Sequence, residues 1–353
     1  MSDEQPERVA RESKRSRGGS APTIYDIAKL AGVNPSTVSR ALSQPGRINI
    51  KTEERIQAAA KELNYRVNPI ARALPTGRTN TLGLFVADIT NPVIFGIVRG
   101  AERAAAEAGY TLVVAESQES GEREATAIER VMPSVDGLVL ATSRLGDAQI
   151  KQIAARKPVV VINRALEGVT GILPDVERGV DQLVAHLAEL GHHSIAYLSG
   201  PETSWVSGRR WEALLAAAPE QGMTIVEIGP GVPTLDGGAA AISRVVASGV
   251  TAVVAFNDLM AIGLLRGAQE RGIAVPSKLS IAGFDDIFGS DFTAPALTTV
   301  RAPLTEAGER AVRHLLSRVS PRSDGRRVNV EELLPTELVV RGSTGHHVPD
   351  GER

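Results

Sequence analysis

The chain has 353 residues, 42% of them hydrophobic and 23% charged, with a formal net charge of −2 and no cysteine. That length and apolar content suit two or three domains with sizeable cores. Without cysteine there are no disulfides, thiolate metal sites or cysteine nucleophile, and no apolar run approaches the roughly 18 residues that a membrane span needs.

The near-neutral total hides an asymmetry. Residues 1–79 hold 14 Lys/Arg against 8 Asp/Glu, and the remainder holds 25 against 33. A basic N-terminal piece on an acidic body suits a module that meets a polyanion while the body stays off it. Residues 1–21 are polar and of mixed charge, without the apolar core of a secretion signal. They offer little apolar material to offset ordering entropy, and read as a disordered tail on a cytoplasmic protein.

In Thr23–Leu42, Ile24, Ile27, Ala28 and Ala31 recur at i, i+3, i+4 and i+7, which gives a helix one apolar face. Gly32 follows where a left-handed cap favours a residue without Cβ, and Asn34-Pro35 start a second helix as N-cap and first helical residue. Two short helices joined by a glycine-containing turn are the plan of a DNA-binding helix-turn-helix, and also of a plain αα-hairpin. The second helix offers Ser36, Thr37, Ser39 and Arg40, a suitable surface for base edges. Ile48 and Ile50 return the chain to the core. A third helix from Thr52 carries Ile56, Ala59, Ala60 and Leu63 as a stripe that closes a small core with Val33, Val38 and Leu42. Residues 68–75, N-P-I-A-R-A-L-P, offer a further helix too short to stand alone in water, so its apolar groups need a partner or belong to a linker.

From Thr79 the texture changes to Val/Ile/Leu runs alternating with helical stretches, and the pattern restarts after Asp175. Such runs indicate parallel sheets covered on both faces, in two α/β halves, with ligands beyond the carboxyl ends of the strands. Polar residues gather at those ends: Asp88 and Asn91, Asn163 and Arg164, Arg209, Asn257 and Asp258, then Asp285 and Asp286. Carboxylates, amides and a guanidinium on one cleft suit a polyhydroxylated ligand. Any one of them also fits a structural role: Asn257-Asp258 would N-cap the helix that follows.

The ordered blocks T-I-Y-D-I-A, A-G-V, T-V-S-R-A-L, N-Y and N-P-x-A-R-x-L resemble the headpiece of the lac-repressor/galactose-repressor (LacI/GalR) family of bacterial transcription regulators. D-I-T-N-P, V-D-G-L-V-L, F-N-D-L-M-A-I-G, L-S-I-A-G-F-D-D-I and P-A-L-T-T-V-R resemble that family's body, so the likeness covers about residues 23–343. It implies an α/β chain with a helix-turn-helix headpiece (22–67), a hinge helix (68–78) and a bilobal periplasmic-binding-protein-like body (79–343) of two doubly wound parallel-sheet subdomains, with tails at 1–21 and 344–353. The first subdomain would comprise 79–173 plus 295–322 and the second 174–294 plus 323–343, with the chain crossing three times.

By the same resemblance Pro35, Ser36 and Arg40 face major-groove bases, and Tyr25, Thr37, Ser39, Asn49 and Asn64 hold phosphates. Thr23, Asn68 and Ala71 complete the DNA-facing set. Leu74 would wedge into the minor groove of the operator, with Pro75 making it the last helical residue. The effector set is Asp88, Asn91, Ile94, Asn163, Trp205, Arg209, Asn257 and Asp285. Two departures bear on it: the family's N-P-F-F is N-P-V-I here, and the Gly-aromatic pair after Arg209 is absent, with Trp205 as a substitute stacking surface or a core residue. The implied partners are a double-stranded operator, a sugar-like or purine effector and a second copy of the chain, in a dimer or tetramer, with no cofactor or metal. Two rivals weigh less. A periplasmic sugar-binding protein needs a secretion signal and no headpiece. An enzyme finds no P-loop, zinc-protease or serine-hydrolase motif, and Asp285-Asp286 serve ligand binding without a nucleophile.

Overall fold

The computed structural model describes residues 22–43, 46–65, 78–319 and 329–347, and the chain divides into two compact units, Met1–Arg78 and Thr79–Arg353. Residues 66–77, which include Asn68, Ala71, Leu74 and all but the last residue of the expected hinge helix (68–78), lie outside the described residues, as do tail residues 1–21.

In the first unit, α1 (Ile24–Ala31) ends at Gly32, whose φ of 61° is the left-handed cap the sequence called for. There the Val33 N–H donates to the Ala28 carbonyl, and the Arg55 guanidinium reaches the Ala31 carbonyl. Helix α2 (Pro35–Ser43) opens with the Asn34 carbonyl accepting from Thr37 and Val38. Helix α3 (Ile50–Glu62) begins two residues earlier than expected because Asn49 caps it, accepting from Lys51 N at 3.0 Å. Ile27, Ala28, Ala31, Val38, Ala41, Ile56 and Ala59 form the core, with Val33, Leu42, Ile48 and Leu63 packed against it. Ile50 was expected inside; it is 72% exposed, since it opens a helix whose stripe starts at Ile56.

The second unit holds two six-stranded sheets, one per lobe. Its elements in order are β1 (Thr81–Val86), α4 (Val93–Glu107), β2 (Thr111–Glu116), α5 (Gly121–Val131), β3 (Gly137–Ala141), α6 (Asp147–Arg156), β4 (Val159–Ile162), β5 (Thr170–Pro174), α7 (Val176–Glu189) and β6 (Ser194–Leu198). Then come α8 (Trp205–Glu220), β7 (Thr224–Ile228), α9 (Leu235–Ala247), β8 (Ala252–Ala255), α10 (Asp258–Glu270), β9 (Ser280–Asp285), β10 (Thr298–Arg301), α11 (Leu304–Val319), β11 (Glu331–Leu334) and β12 (Glu337–Val339). The first sheet runs β11-β5-β4-β3-β1-β2 and the second β12-β10-β9-β8-β6-β7, parallel except for β12 against β10. Each therefore has a switch point beside its first strand, where a crevice opens at the carboxyl ends.

Three features depart from the sequence reading. Residues 295–301, expected in the first lobe, contain β10, which pairs with β9 and closes the second lobe's sheet. Conversely, within 323–343, expected in the second lobe, β11 pairs with β5 of the first and only β12 joins the second sheet. The chain crosses three times as expected, and two crossings are laced together: Asp175 N donates to the Leu334 carbonyl (2.8 Å), and Thr336 Oγ1 to the Asp175 carbonyl (2.6 Å). Last, the edge strands β2 and β7 are not covered on both faces; Val113, Val114 and Val226 are exposed.

Glycines set the helix pairing in both lobes. A Cβ on Gly308 of α11 would lie 2.0 Å from the Ile97 carbonyl of α4, and one on Gly263 of α10 would lie 2.0 Å from the Leu235 carbonyl of α9. Helix backbones thus touch where any side chain would push them apart. Among the described residues no helix is long and apolar enough to cross a membrane.

Residues 344–347, expected as a tail, are fastened to the base of the second lobe. His347 N donates to the Leu190 carbonyl, Thr344 Oγ1 bonds Thr298 Oγ1, and buried His192 contacts Thr251 Oγ1 (2.8 Å), Ser280 Oγ (3.0 Å) and the Gly345 carbonyl (3.2 Å). Burial holds the His192 imidazole at about 4, below the ordinary 6.5. A histidine kept neutral this way contributes stability that is present above its unfolded value and is lost as pH falls toward the folded one. Unfolding free energy should therefore drop between pH 6.5 and 4, and His192→Asn should remove part of that slope. Urea denaturation across this range checks it.

Candidate functional site

Between the lobes of the second unit, the strand ends enclose a narrow cleft with a cavity volume of about 30 Å³. The walls include Asp88, Asn91, Ile94, Glu119, Thr142, Ser143, Arg144 and Asn163 from the first lobe, and Ser204, Trp205, Arg210, Phe256, Asn257 and Asp285 from the second. Backbone strain concentrates here. Gln118, Glu119, Thr142, Asn163, Asp285 and Asp286, all at or just past strand ends, have φ between 51° and 104°. Non-glycine residues held there cost on the order of 1 kcal/mol each or more, and such positions cluster at binding sites.

Seven of the eight residues expected at an effector site line this cleft: Asp88, Asn91, Ile94, Asn163, Trp205, Asn257 and Asp285. Several also serve the fold. Asp88 Oδ1 accepts from Thr90 N (2.8 Å) and Oγ1 (2.6 Å), Asn91 Oδ1 accepts from Val93 N, and Ile94 belongs to the core. Asn257 caps α10, accepting from Met260 N (2.9 Å) while its Nδ2 donates to the Pro233 carbonyl (3.3 Å), so the capping role the sequence left open is real.

The exception is Arg209. It points away from the cleft onto Glu177 and Glu212, with a side chain 39% exposed. The guanidinium in the cleft wall is Arg210, 5% exposed, which bonds Asp285 Oδ1 (2.6 Å) and the Phe256 carbonyl, and lies 4.4 Å from the Phe284 ring centroid. Helical phase explains the difference. Val206, Arg210, Ala213, Leu214 and Ala217 share the buried stripe of α8, and Arg209 sits about 100° off it. That spacing was available in the sequence. Sequence reasoning also missed Glu119, Arg144 and Ser204; the only signal for the first two was their position one to three residues past a strand.

Each polar dyad at the second lobe's strand ends splits its duties. Asn257 and Asp285 face the cleft. Their successors face the other way: fully buried Asp258 accepts from Thr299 Oγ1 (2.6 Å) on β10 and from Ile287 N (2.8 Å), and Asp286 accepts from Arg301 Nε and Arg341 (both 2.7 Å). Burial, with nearby Asp285, pushes the Asp258 carboxyl well above the usual range. For Asp286 burial pushes upward too, but hydrogen bonds from Arg341 and Arg301 hold it below.

On the first unit, Ser36, Ser39 and Arg40 are exposed along α2, with Pro35 and Thr37 half-buried between them. Tyr25 is 68% exposed on α1, and Asn64 is exposed after α3. Among the expected phosphate or DNA contacts, Asn49 caps α3, and Thr23 donates from N and Oγ1 to Asp26 Oδ2.

Comparisons with known proteins cover both units. Residues 23–68 match the profile of the bacterial regulatory proteins of the lacI family, and residues 184–344 that of the periplasmic binding protein-like domain. The chain is 32% identical to the HTH-type transcriptional repressor CytR of Escherichia coli (strain K12), over 94% of its own length and 98% of that protein's. With the HTH-type transcriptional regulator DegA of Bacillus subtilis (strain 168) it shares 33% identity over 91% and 98%. Among solved structures it is similar to the lac repressor dimer bound to operator and an anti-inducer, with a TM-score of 0.83 and 28% identity over 92% and 100% of the two chains. Its likeness to a complex of the transcriptional regulator CelR with cellobiose has a TM-score of 0.67 and 29% identity over 91% and 99%.

The two neighbouring arginines make a paired test. Asp285→Asn strips the partner from a buried guanidinium and should cost about 3 kcal/mol of stability. Arg209→Ala removes two exposed ion pairs and a contact with the Trp205 ring and should stay within about 1 kcal/mol. Urea denaturation of both variants checks the assignment; the reverse order would sink it.

Proposed function

Because the chain belongs to the lacI family of bacterial regulatory proteins, we propose that it is a transcriptional repressor that grips a palindromic operator as a dimer. A small polyhydroxylated effector in the cleft sets its affinity for that site. The observation that carries this reading is the outward row on α2, Ser36, Ser39 and Arg40, held by a three-helix core that spends its apolar residues inward. Arg40 can set its fork on the O6 and N7 acceptors of a guanine in the major groove. Tyr25, Thr37 and Asn64 then fix register on phosphates. Leu74 serves as the minor-groove wedge.

Dimer formation is supported by apolar surface that the single chain leaves in water: Val113 and Val114 on β2, Val226 on β7, and the edge-to-face pair Phe288–Phe292, 76% and 69% exposed. Bare edge strands and an exposed aromatic pair are surfaces that a second copy of the chain can cover. Effector control needs unequal affinity for the open and closed forms of the cleft. The crossings laced through Asp175, Leu334 and Thr336 are where that change is borne.

Selection of the full chain on a random pool of DNA duplexes tests the reading. An inverted repeat should emerge, and Arg40→Ala should weaken binding to it by about 1–3 kcal/mol while leaving binding to unrelated DNA nearly unchanged. Enrichment of no sequence, or equal losses on both DNAs at fixed salt, would overturn it.

A further inference from the structure

Resting on the reading of the cleft as an effector site, we propose that Glu119 and Arg144 read a vicinal diol of an uncharged effector. The pair sets specificity for that ligand. Three observations converge. The first is the cost of placing the pair. Glu119 and its neighbour Gln118 have φ of 59° and 51°, and Thr142, a β-branched residue, has 59°. Left-handed geometry is unfavourable for all three and most of all for Thr142. What it achieves is local: Glu119 N is tied to the Ala87 carbonyl, and the turn at Thr142 brings the Arg144 guanidinium back over the Thr142 carbonyl (Nη1–O 2.8 Å) and onto Glu119 (Nε–Oε2 2.6 Å). The Arg144 backbone N–H is pinned in turn by buried Glu124 (2.8 Å).

The second observation is what these bonds leave over. Arg144 uses Nε and Nη1, and Glu119 uses Oε2; Nη2 and Oε1 have no hydrogen bond among the described residues. Both side chains line the cleft, with Arg144 6% and Glu119 29% exposed. One donor beside one acceptor, both rigidly held, complements two adjacent hydroxyls: one donates to Oε1 and its neighbour accepts from Nη2.

The third is charge. Three carboxylates line the cleft, Asp88, Glu119 and Asp285, against two guanidiniums, Arg144 and Arg210, each already bonded to one of those carboxylates. Neither arginine is left as an unmatched cation for a phosphate, and the excess carboxylate repels one. Hydroxyls rather than a phosphoryl group meet this wall.

The test compares ligand pairs differing by one hydroxyl: D-ribose, D-glucose and adenosine, each with its 2-deoxy counterpart, and D-ribose 5-phosphate as the charged probe. Binding to the full chain is read by calorimetry and thermal shift. At least one intact diol should bind about tenfold or more tightly than its deoxy partner, since the deoxy ligand leaves a charged group unmatched. Glu119→Gln and Arg144→Met should bring that ratio toward one, whatever each costs the ligand-free protein in melting temperature. A purely structural role would lower the melting temperature and leave the ratio alone. Should Arg144→Met fail to fold, Glu119→Gln at the more exposed partner decides. A ratio unchanged in Glu119→Gln, tighter binding of the phosphate, or no binding by any diol overturns the inference. Operator selection is measured without ligand, so the regulator reading would stand through any of these.

Discussion

A guanidinium with almost no access to water sits in the wall of the cleft, and much of the second lobe is arranged to keep it there. Arg210 lies against Phe284 and Phe256, with Asp285 and the Phe256 carbonyl as its polar partners. Breaking such a pair leaves a charge in a medium that cannot solvate it, a loss much larger than that of any surface bridge. Asp285 is therefore held in its left-handed conformation, and the chain must turn sharply after β9. That turn aims Asp286 at Arg301 and Arg341 instead of at the cleft. The strain of two consecutive residues with positive φ is compensated by four charge-assisted contacts around them.

The same division of labour at Asn257–Asp258 makes the second lobe's wall a two-sided device. Its cleft side presents Asn257 and Asp285; its far side grips β10 through Thr299 and the Arg301 end through Asp286. From Arg301 the chain passes at once to the first lobe, at α11. In the proposed regulator, a ligand that drew Asp285 into a new bond would also tug on the crossing segment. Coupling between a pocket and a lobe crossing needs no longer path than this.

Much of this was legible in the sequence, and the limits have physical causes. The headpiece was readable because its signals are local: a 3.6-residue stripe, a glycine at a left-handed cap, and a proline at a helix start. The alternation of strands and helices was readable for the same reason. Edge strands were not distinguishable from central ones, because T-L-V-V-A-E is as apolar as T-L-G-L-F-V and a strand's neighbours are set elsewhere in the chain. Strand β10 was assigned to the wrong lobe since its partners, β9 and β12, are long-range choices that no periodicity records. Arg209 and Arg210 are a subtler case. The motif gave the neighbourhood, and only the phase of α8 against its core decides which arginine turns inward.

Glycine contacts between helices stiffen each lobe of the second unit. In the first lobe α4 and α11 meet backbone to backbone at Gly100 and Gly308, and in the second α9 and α10 do so at Gly238 and Gly263. Helices packed that closely cannot slide without collision, so each lobe behaves as one body. The chain passes between lobes near Asp175, Pro303 and Thr336, and hydrogen bonds tie two of these crossings together beside the buried Leu334 and Thr336. An effector bridging Glu119 and Arg144 on one wall to residues near Arg210 on the other would therefore change the angle between two rigid bodies. It would leave either fold intact. That is the kind of equilibrium a ligand with unequal affinity for two states can shift.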